Sequence, residues 1–314
     1  MTRFEVPKVA IIGAGEIGCG WAALTASSGW PVAIYDADSQ ALQNAPENIG
    51  DRVNALVKMG RADETVASDS LGLLRIGRSL LHALTDADWI IEAATEDLVT
   101  KQKLLEQVEQ VSRLAAVVTS SASGIQPSAL CARLRRPERV MVVNPLNPVE
   151  LIALVEVVPS PRTDQGCVED VRFWLRLLGR TAVVLKKEIP GNVVGRVQAA
   201  VWRECIHLVL EGVLDVDDVD AAIMMGPAVA WAAAGPHLTQ HLGAGESGVE
   251  MFLSKQLATY EEWWGQLASW QKLAPEDQKR LIRAIEKTYE TQIPELTEAR
   301  NRRLAAVLTA LTDS

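Results

Sequence analysis

The chain has 314 residues, of which 48% are hydrophobic and 23% are charged. This composition is typical of a globular enzyme, and the length predicts about two domains of roughly 150 residues each. The formal net charge of −9 argues against binding to nucleic acid or to an anionic membrane surface. No apolar run approaches the roughly 20 residues that a membrane span requires, so no membrane association is expected.

The N-terminus and the cysteines predict a cytoplasmic protein. The chain begins MTRFEVPKVAIIGAG and enters an apolar segment without the pattern of a signal peptide. The four cysteines, Cys19, Cys131, Cys167 and Cys205, are scattered and form no CxxC pair. Such spacing predicts reduced thiols rather than disulfides or zinc ligands. We therefore predict a cytoplasmic location and no metal site.

The first predicted elements form a strand, turn, helix and strand in that order. An apolar run at Val9–Ile12 has the pattern of a strand buried on both faces, and the glycine-rich turn GAGEIG follows at 13–18. Small apolar residues at 19–28 predict a helix. Residues 31–35 predict a second strand, which ends on Asp36.

This unit is typical of a dinucleotide-binding site. Gly13 permits a tight turn, Gly15 allows close approach of a pyrophosphate, and Gly18 allows helix and strand to pack closely. Free N–H groups at the helix start bind phosphates, and a carboxylate at Asp36 favours NAD over NADP because it would repel a 2′-phosphate. The alternative is a βαβ turn that binds nothing. The cofactor-binding residues predicted from this unit are Gly13, Gly15, Glu16, Ile17, Gly18 and Asp36.

The alternation of strands and helices continues to about residue 188. A helix is predicted at 38–59 with a break at Pro46, and a loop at 62–74. Further strands are predicted at 89–93, 116–120, 140–143, 154–158 and 182–185, and further helices at 101–114 and 163–178. This order predicts a doubly wound sheet of the Rossmann type. Ligands bind beyond the carboxyl ends of such strands, so Glu96 and residues 120–123 are expected to line the cleft.

The strand pattern ends at Pro190 and Gly191. Helices are predicted at 193–211, 216–225, 260–270, 276–291 and 294–311. The predicted architecture is therefore α/β, with an NAD-binding domain at 1–188 and an all-helical domain for substrate binding and dimerisation at 189–314.

At this point the chain resembles the 3-hydroxyacyl-CoA dehydrogenase superfamily, in its short branch of lambda-crystallin (gulonate 3-dehydrogenase) and carnitine dehydrogenase. The resemblance covers nearly the whole chain. It rests on the glycine-rich turn and on the segments SSASG at 120–124, NPLNP at 144–148, LVEVV at 154–158 and EIPG at 188–191. QAAVWRE at 198–204 and GAGESG at 243–248 look most like carnitine dehydrogenase.

The resemblance implies a catalytic pair, a His that acts as general base on the substrate hydroxyl and a Glu that orients it. The Glu corresponds to Glu156, whereas the His position is occupied by Asn144. The family spacing from Ser123 through residue 144 to Glu156 is kept. The predicted catalytic residues are therefore Ser123, Asn144 and Glu156. A loop serine bonded to its own backbone and a structural salt bridge are the alternatives for Ser123 and Glu156.

Asn144 changes what the site can do. An amide can donate a hydrogen bond to a carbonyl or alkoxide oxygen, but it cannot take up a proton near neutral pH. Loss of a general base typically lowers the rate by about 10²–10⁴-fold. The chain is then either a dehydrogenase with impaired proton transfer or a protein with altered chemistry, such as imine reduction or cofactor binding without redox turnover.

The resemblance also implies residues around the cofactor and the substrate. Glu96, Lys101 and Ser121 are predicted to lie near NAD, with a solvated helix start as the alternative for the first two. Asn147, Arg196 and Trp231 are predicted to contact the substrate. Trp231, Trp263, Trp264 and Trp270 could form a cage for a quaternary ammonium, although a helical core or a dimer interface is the commoner use of such residues.

Two departures concern the substrate domain. Gly195 stands where acyl-CoA enzymes often carry Asn, and Ala230 stands where carnitine dehydrogenases commonly carry Arg. The second departure removes an anchor for the substrate carboxylate. We predict hydride transfer between NAD and C3 of a small 3-hydroxy acid that is not a CoA thioester, in a homodimer formed through the helical domain.

Overall fold

The computed structural model describes residues 6–290 and 293–312. The chain separates into two compact units, Met1–Arg196 and Val197–Ser314. The first is an α/β unit built on an eight-stranded sheet, and the second is helical. The predicted fold class, a Rossmann-type sheet followed by a helical region, is confirmed.

The sheet has the strand order β3-β2-β1-β4-β5-β6-β7-β8. Its strands are β1 Val9–Ile12, β2 Val32–Tyr35, β3 Arg75–Ile76, β4 Trp89–Glu92, β5 Val117–Ser120, β6 Val140–Pro145, β7 Leu154–Pro159 and β8 Thr181–Val184. Neighbouring strands are parallel except for β6 and β7, which are antiparallel. The chain leaves β1 toward β2 on one side and returns to β4 on the other. This reversal of strand order makes the carboxyl ends of β1 and β4 the expected ligand crevice.

Among the residues that the structure describes in this unit, seven helices flank the strands. They are α1 Glu16–Ser27, α2 Ser39–Lys58, α3 Glu64–Gly72, α4 Leu80–Leu84, α5 Leu98–Val111, α6 Pro127–Leu130 and α7 Gln165–Leu177. Short 3₁₀ turns lie at Cys131–Arg133 and Pro137–Arg139.

Alternate residues of each strand point to opposite faces, and in the inner strands β1, β4 and β5 both faces are buried because helices cover them. Val9 and Ile11 belong to the apolar cluster that includes α1 and α7. Ala10 and Ile12 belong to the cluster that includes α5. In the first cluster Trp89 contacts Trp21 edge-on at 5.7 Å and Trp174 in a stack at 5.5 Å between ring centroids.

Two predictions about this unit are wrong. The helix α2 continues through Pro46 without a break. An internal proline costs about 3 kcal/mol, but the helix packs four buried apolar residues, Ala45, Ile49, Val53 and Leu56. The segment predicted as a loop at 62–74 contains α3. Its helix starts because the Asp63 carboxylate accepts hydrogen bonds from the N–H groups of Thr65 and Val66.

The remaining helices are α8 Val194–Leu210, α9 Val216–Met225, α10 Pro227–Gly243, α11 Gly248–Trp264, α12 Pro275–Thr288 and α13 Ile293–Thr312, with a 3₁₀ turn at Gly245–Ser247. The helix α10 was not predicted, because its small apolar residues show no polar face. It bends at Gly235, where φ is 71°, directly before Pro236. None of the helices in the described part of the chain is long and apolar enough to cross a membrane.

Candidate active site

The glycine-rich turn between β1 and α1 is built by close backbone contacts. Gly13 has φ 110°, and a Cβ at this position would lie 2.4 Å from the carbonyl oxygen of Ala93. A Cβ on Gly18 would lie 1.8 Å from the carbonyl oxygen of Gly13. At Gly15, by contrast, a Cβ would meet nothing within 4 Å. Gly13 and Gly18 are therefore required by the protein itself, whereas Gly15 borders open space.

The start of α1 is an open site for an anion. Gly15 is the residue before the helix and provides no side-chain cap, so no side chain caps the first N–H groups. Uncapped N–H groups at a helix start, together with the helix dipole, bind phosphate. The free space at Gly15 lets a diphosphate approach the backbone closely. The turn therefore fits NAD.

Asp36 connects this turn to the end of β2. Its Oδ2 accepts a hydrogen bond from the Ala14 N–H at 2.7 Å, and its Oδ1 accepts one from the Asp38 N–H at 2.8 Å. Each carboxylate oxygen has a second lone pair. The half-buried carboxylate is thus fixed in place and can still accept hydrogen bonds from a ribose diol.

We expect Gly15→Ala and Gly18→Ala to fail in different ways. Gly15→Ala should keep the melting temperature and weaken NADH binding, because its methyl group enters space used only by a ligand. Gly18→Ala should lower the melting temperature, because its methyl group collides with the Gly13 carbonyl group. Thermal unfolding and NADH fluorescence titration of both variants test this. Equal loss of stability in the two variants would contradict the assignment of Gly15 to the cofactor.

A buried ion pair that the sequence did not predict lies at the carboxyl end of β4. Glu92 at the end of β4 is 0% exposed and Lys101 is 1% exposed. The Lys101 Nζ donates to Glu92 Oε1 at 2.7 Å and to the Ala94 carbonyl oxygen at 3.0 Å, and Ser120 Oγ donates to Glu92 Oε2 at 2.5 Å. This network fixes the loops that follow β4 and β5. The only sequence signal for it was an acid at the end of an apolar strand.

Glu96 joins the same two loops at the surface. Its Oε1 accepts hydrogen bonds from the N–H groups of Ser123 at 2.9 Å and Gly124 at 3.0 Å. Ser121 Oγ accepts a hydrogen bond from Trp21 Nε1 at 3.0 Å. Ser123 is exposed at the edge of the sheet where the carboxyl ends of β5 and β6 meet. The structure therefore places Glu96, Ser121 and Ser123 together around one cleft edge.

Asn144 and Glu156 are direct partners across β6 and β7. The Asn144 Nδ2 donates to Glu156 Oε2 at 3.1 Å. Glu156 Oε1 accepts two further hydrogen bonds, from the N–H groups of Val193 at 2.8 Å and Val194 at 3.0 Å. Glu156 is 1% exposed, and a buried carboxylate requires such partners. Val194 begins α8, so the helix dipole also stabilises the charge.

The remaining predicted residues are Asn147, Arg196 and Trp231. Asn147 is exposed in the loop between β6 and β7 and precedes Pro148 in a cis peptide bond. Arg196 is exposed, and its Nη1 donates to the Pro190 carbonyl oxygen at 3.5 Å. Trp231 lies on α10 in the helical unit. In that unit the aromatic contacts centre on Tyr260 of α11, which contacts the rings of Phe252, Trp263 and Trp264.

The fold and the glycine-rich turn define a dinucleotide-binding protein with a Rossmann-type domain. Residues 8–189 match the family described as 3-hydroxyacyl-CoA dehydrogenase, NAD binding domain, and residues 191–283 match the C-terminal domain of the same family. The chain belongs to the 3-hydroxyacyl-CoA dehydrogenase family. The predicted family, the dehydrogenase class and the NAD cofactor are confirmed.

Several relatives are named L-carnitine dehydrogenase. The protein from Bacillus cereus is 35% identical over 255 residues, which are 81% of this chain and 77% of the relative. The protein from Nocardiopsis dassonvillei is 33% identical over 312 residues, 99% of this chain and 94% of the relative. A similar solved structure is 5-formyl-3-hydroxy-2-methylpyridine 4-carboxylic acid 5-dehydrogenase, with a TM-score of 0.81, 27% identity and coverage of 97% of this chain and 98% of that one.

Proposed function

We propose that this protein oxidises the hydroxyl group at C3 of a small hydroxy acid, of the carnitine or gulonate type and not bound to CoA, and that Asn144 slows or alters the proton transfer. The observation that carries the proposal is the Asn144–Glu156 pair, held at 3.1 Å where the resemblance expects a His–Glu pair. The similarity to L-carnitine dehydrogenases over nearly the whole chain supports the substrate class.

In this proposal each polar group at the cleft has one task. NAD, when bound, supplies the hydride acceptor. Ser123 and Asn144 hold the substrate oxygen, and Glu156 keeps the Asn144 amide in place. Glu96, Lys101 and Ser121 order the loops at the nicotinamide end of the cofactor. Substrate contacts are assigned to Asn147, Arg196 and Trp231. The proposed domains are an NAD-binding domain at 1–188 and a substrate domain at 189–314.

The Asn144–Glu156 pair offers no good acceptor for the proton on the substrate hydroxyl. The Asn144 amide can donate to the oxygen but cannot take up its proton near neutral pH. The Glu156 carboxylate already accepts three hydrogen bonds and is buried. Proton transfer without a base at residue 144 is slower, so slow turnover is the expected behaviour of the protein.

The test is NADH formation with L-carnitine, L-gulonate, 3-hydroxybutyrate and 3-hydroxybutyryl-CoA, with NADH binding measured in parallel. We expect slow turnover with a free hydroxy acid and less with the CoA thioester. Fastest turnover of the thioester would contradict the substrate class. Tight NADH binding without turnover of any alcohol would instead favour a protein with changed chemistry or a cofactor-binding role.

We also propose a cytoplasmic homodimer formed through the helical unit. Among the described residues of this unit only five are buried, namely Ile206, Val216, Val219, Gly248 and Ala268. Large apolar side chains remain exposed, including Trp202, Met225, Trp263 and Trp264. Exposed apolar surface on this scale is typical of an interface. Light scattering should give twice the mass of one chain at micromolar concentration, and a monomer would contradict the proposal.

A further inference from the structure

The first turn of α1, where a cofactor diphosphate is expected, carries a carboxylate of its own. Glu16 is the first residue of α1, and its side chain is 59% exposed. A carboxylate is itself favoured at a helix N-terminus, because the helix dipole attracts negative charge. Left free, the Glu16 side chain would compete with a diphosphate for the same N–H groups and would repel it. The backbone N–H of Glu16 can serve the cofactor only if the side chain is held elsewhere.

Arg52 of α2 holds the Glu16 side chain. Its Nη2 donates to Glu16 Oε2 at 2.5 Å and its Nη1 donates to Glu150 Oε1 at 2.8 Å. The Arg52 side chain is 18% exposed, so both contacts are partly screened from water. Ion pairs in such places are stronger than those at the open surface.

Glu150, the second partner of Arg52, also holds the guanidinium in place. Glu150 lies in the loop between β6 and β7 and is buried, and its Oε2 has no hydrogen-bond partner among the described residues. The Glu150 backbone is held as well, because Arg180 Nη2 donates to its carbonyl oxygen at 3.0 Å. Removing the guanidinium would leave this buried carboxylate without a compensating charge, which is strongly destabilising. Arg52 therefore cannot leave this position freely.

The pKa of the Cys19 thiol is shifted by the charges around the same turn. Burial raises the pKa of this thiol, and Arg52 opposes the rise, whereas three carboxylates, Glu16, Glu150 and Asp36, reinforce it. Three carboxylates and the Arg52 guanidinium therefore act on this turn. A diphosphate adds further negative charge to this turn, so the Arg52 guanidinium favours its binding.

We propose that Arg52 is a positioning residue for the cofactor diphosphate: it keeps the Glu16 carboxylate away from the start of α1 and balances its charge. Arg52 acts through Glu16 and need not contact the cofactor. The proposal concerns NAD binding alone, so it does not depend on the substrate or on turnover.

The experiment measures dissociation constants of NADH, ADP-ribose and adenosine for the wild type, Arg52→Gln, Arg52→Lys, Glu16→Gln and the Glu16→Gln/Arg52→Gln double variant. Arg52→Gln should weaken NADH and ADP-ribose by about tenfold, the scale of one partly screened ion pair, and leave adenosine unchanged. Arg52→Lys keeps the charge and should restore most of the affinity. The double variant should bind NADH more tightly than Arg52→Gln, because the repelling carboxylate is gone.

Three results would overturn the proposal: a loss of adenosine affinity as large as the loss for NADH, wild-type binding of NADH by Arg52→Gln, or a double variant no better than Arg52→Gln. Glu16→Gln keeps the Arg52–Glu150 contact, so this variant tests the proposal if Arg52→Gln does not fold. It should bind NADH and ADP-ribose more tightly than the wild type, and weaker binding would contradict the proposal. Since only binding is read, an inactive enzyme does not affect the outcome.

Discussion

Asn144→His is expected to increase the rate of NADH formation from a free hydroxy acid such as L-carnitine by about 10² or more, the gain that a general base supplies. Residue 144 lies opposite Glu156 in the β6–β7 register, and the Asn144 amide already donates to the Glu156 carboxylate. An imidazole at this position can donate one ring N–H to that carboxylate and use the other nitrogen as a base. Steady-state kinetics of both proteins measure the gain.

The pH dependence of the rate shows whether the gain in Asn144→His comes from a new general base or from another effect on turnover. Only the neutral imidazole accepts a proton, so the rate of Asn144→His should fall as pH falls through the pKa of the new histidine. The reference value is about 6.5, and a neighbouring carboxylate raises it. The wild type should lack this acidic limb. Asn144→Gln is the matched control, since it changes the side chain without adding a base and should give no gain.

If Asn144→His brings no gain and neither protein oxidises any alcohol, the hydroxy-acid proposal fails. Amine and imine substrates would then be the next to test, because an amide that donates a hydrogen bond and a bound dinucleotide remain compatible with imine reduction. NADH binding by the same preparations would distinguish this result from loss of the cofactor site.

Local sequence patterns predicted most of the strands and helices, and the elements that they predicted wrongly have physical explanations. The strand, turn, helix and strand at 9–36 were predictable because apolar periodicity, glycine and a terminal acid occur together in one short stretch. The helix α3 was missed because its sequence is polar and its start depends on the Asp63 side chain. The continuous helix through Pro46 depends on tertiary burial, which overrides a local breaker.

The site was predictable only where the residues follow one another at family spacing. Ser123, Asn144 and Glu156 were predicted as a set, and the register of β6 and β7 explains the pairing of the last two. The backbone groups of Val193 and Val194 could not be predicted as partners of Glu156, since they come from a different segment of the chain. The same holds for Glu92, since the sequence shows an acid at the end of an apolar strand but not its partners Lys101 and Ser120.

Glu156→Ala should lower the free energy of unfolding by about 1–3 kcal/mol, the cost of leaving a buried donor without its acceptor, because the donors concerned are only partly buried and water can reach some of them. Three donors lose their acceptor in this variant: the Asn144 amide and the N–H groups of Val193 and Val194. The start of α8 loses its cap at the same time. Chemical denaturation of the variant beside the wild type measures the change, and a loss below about 1 kcal/mol would show that water replaces the carboxylate.

Glu156→Gln separates the structural role of this residue from its role in catalysis. Its amide oxygen can accept from Val193 and Val194, and its NH₂ group can donate to Asn144 if the Asn144 amide turns its oxygen toward it. Stability should therefore largely return. In the Asn144→His background, however, a glutamine cannot stabilise the imidazolium that forms when the base takes its proton. Asn144→His/Glu156→Gln should thus be folded and lose much of the gain in rate, whereas an undiminished gain would limit Glu156 to holding the start of α8.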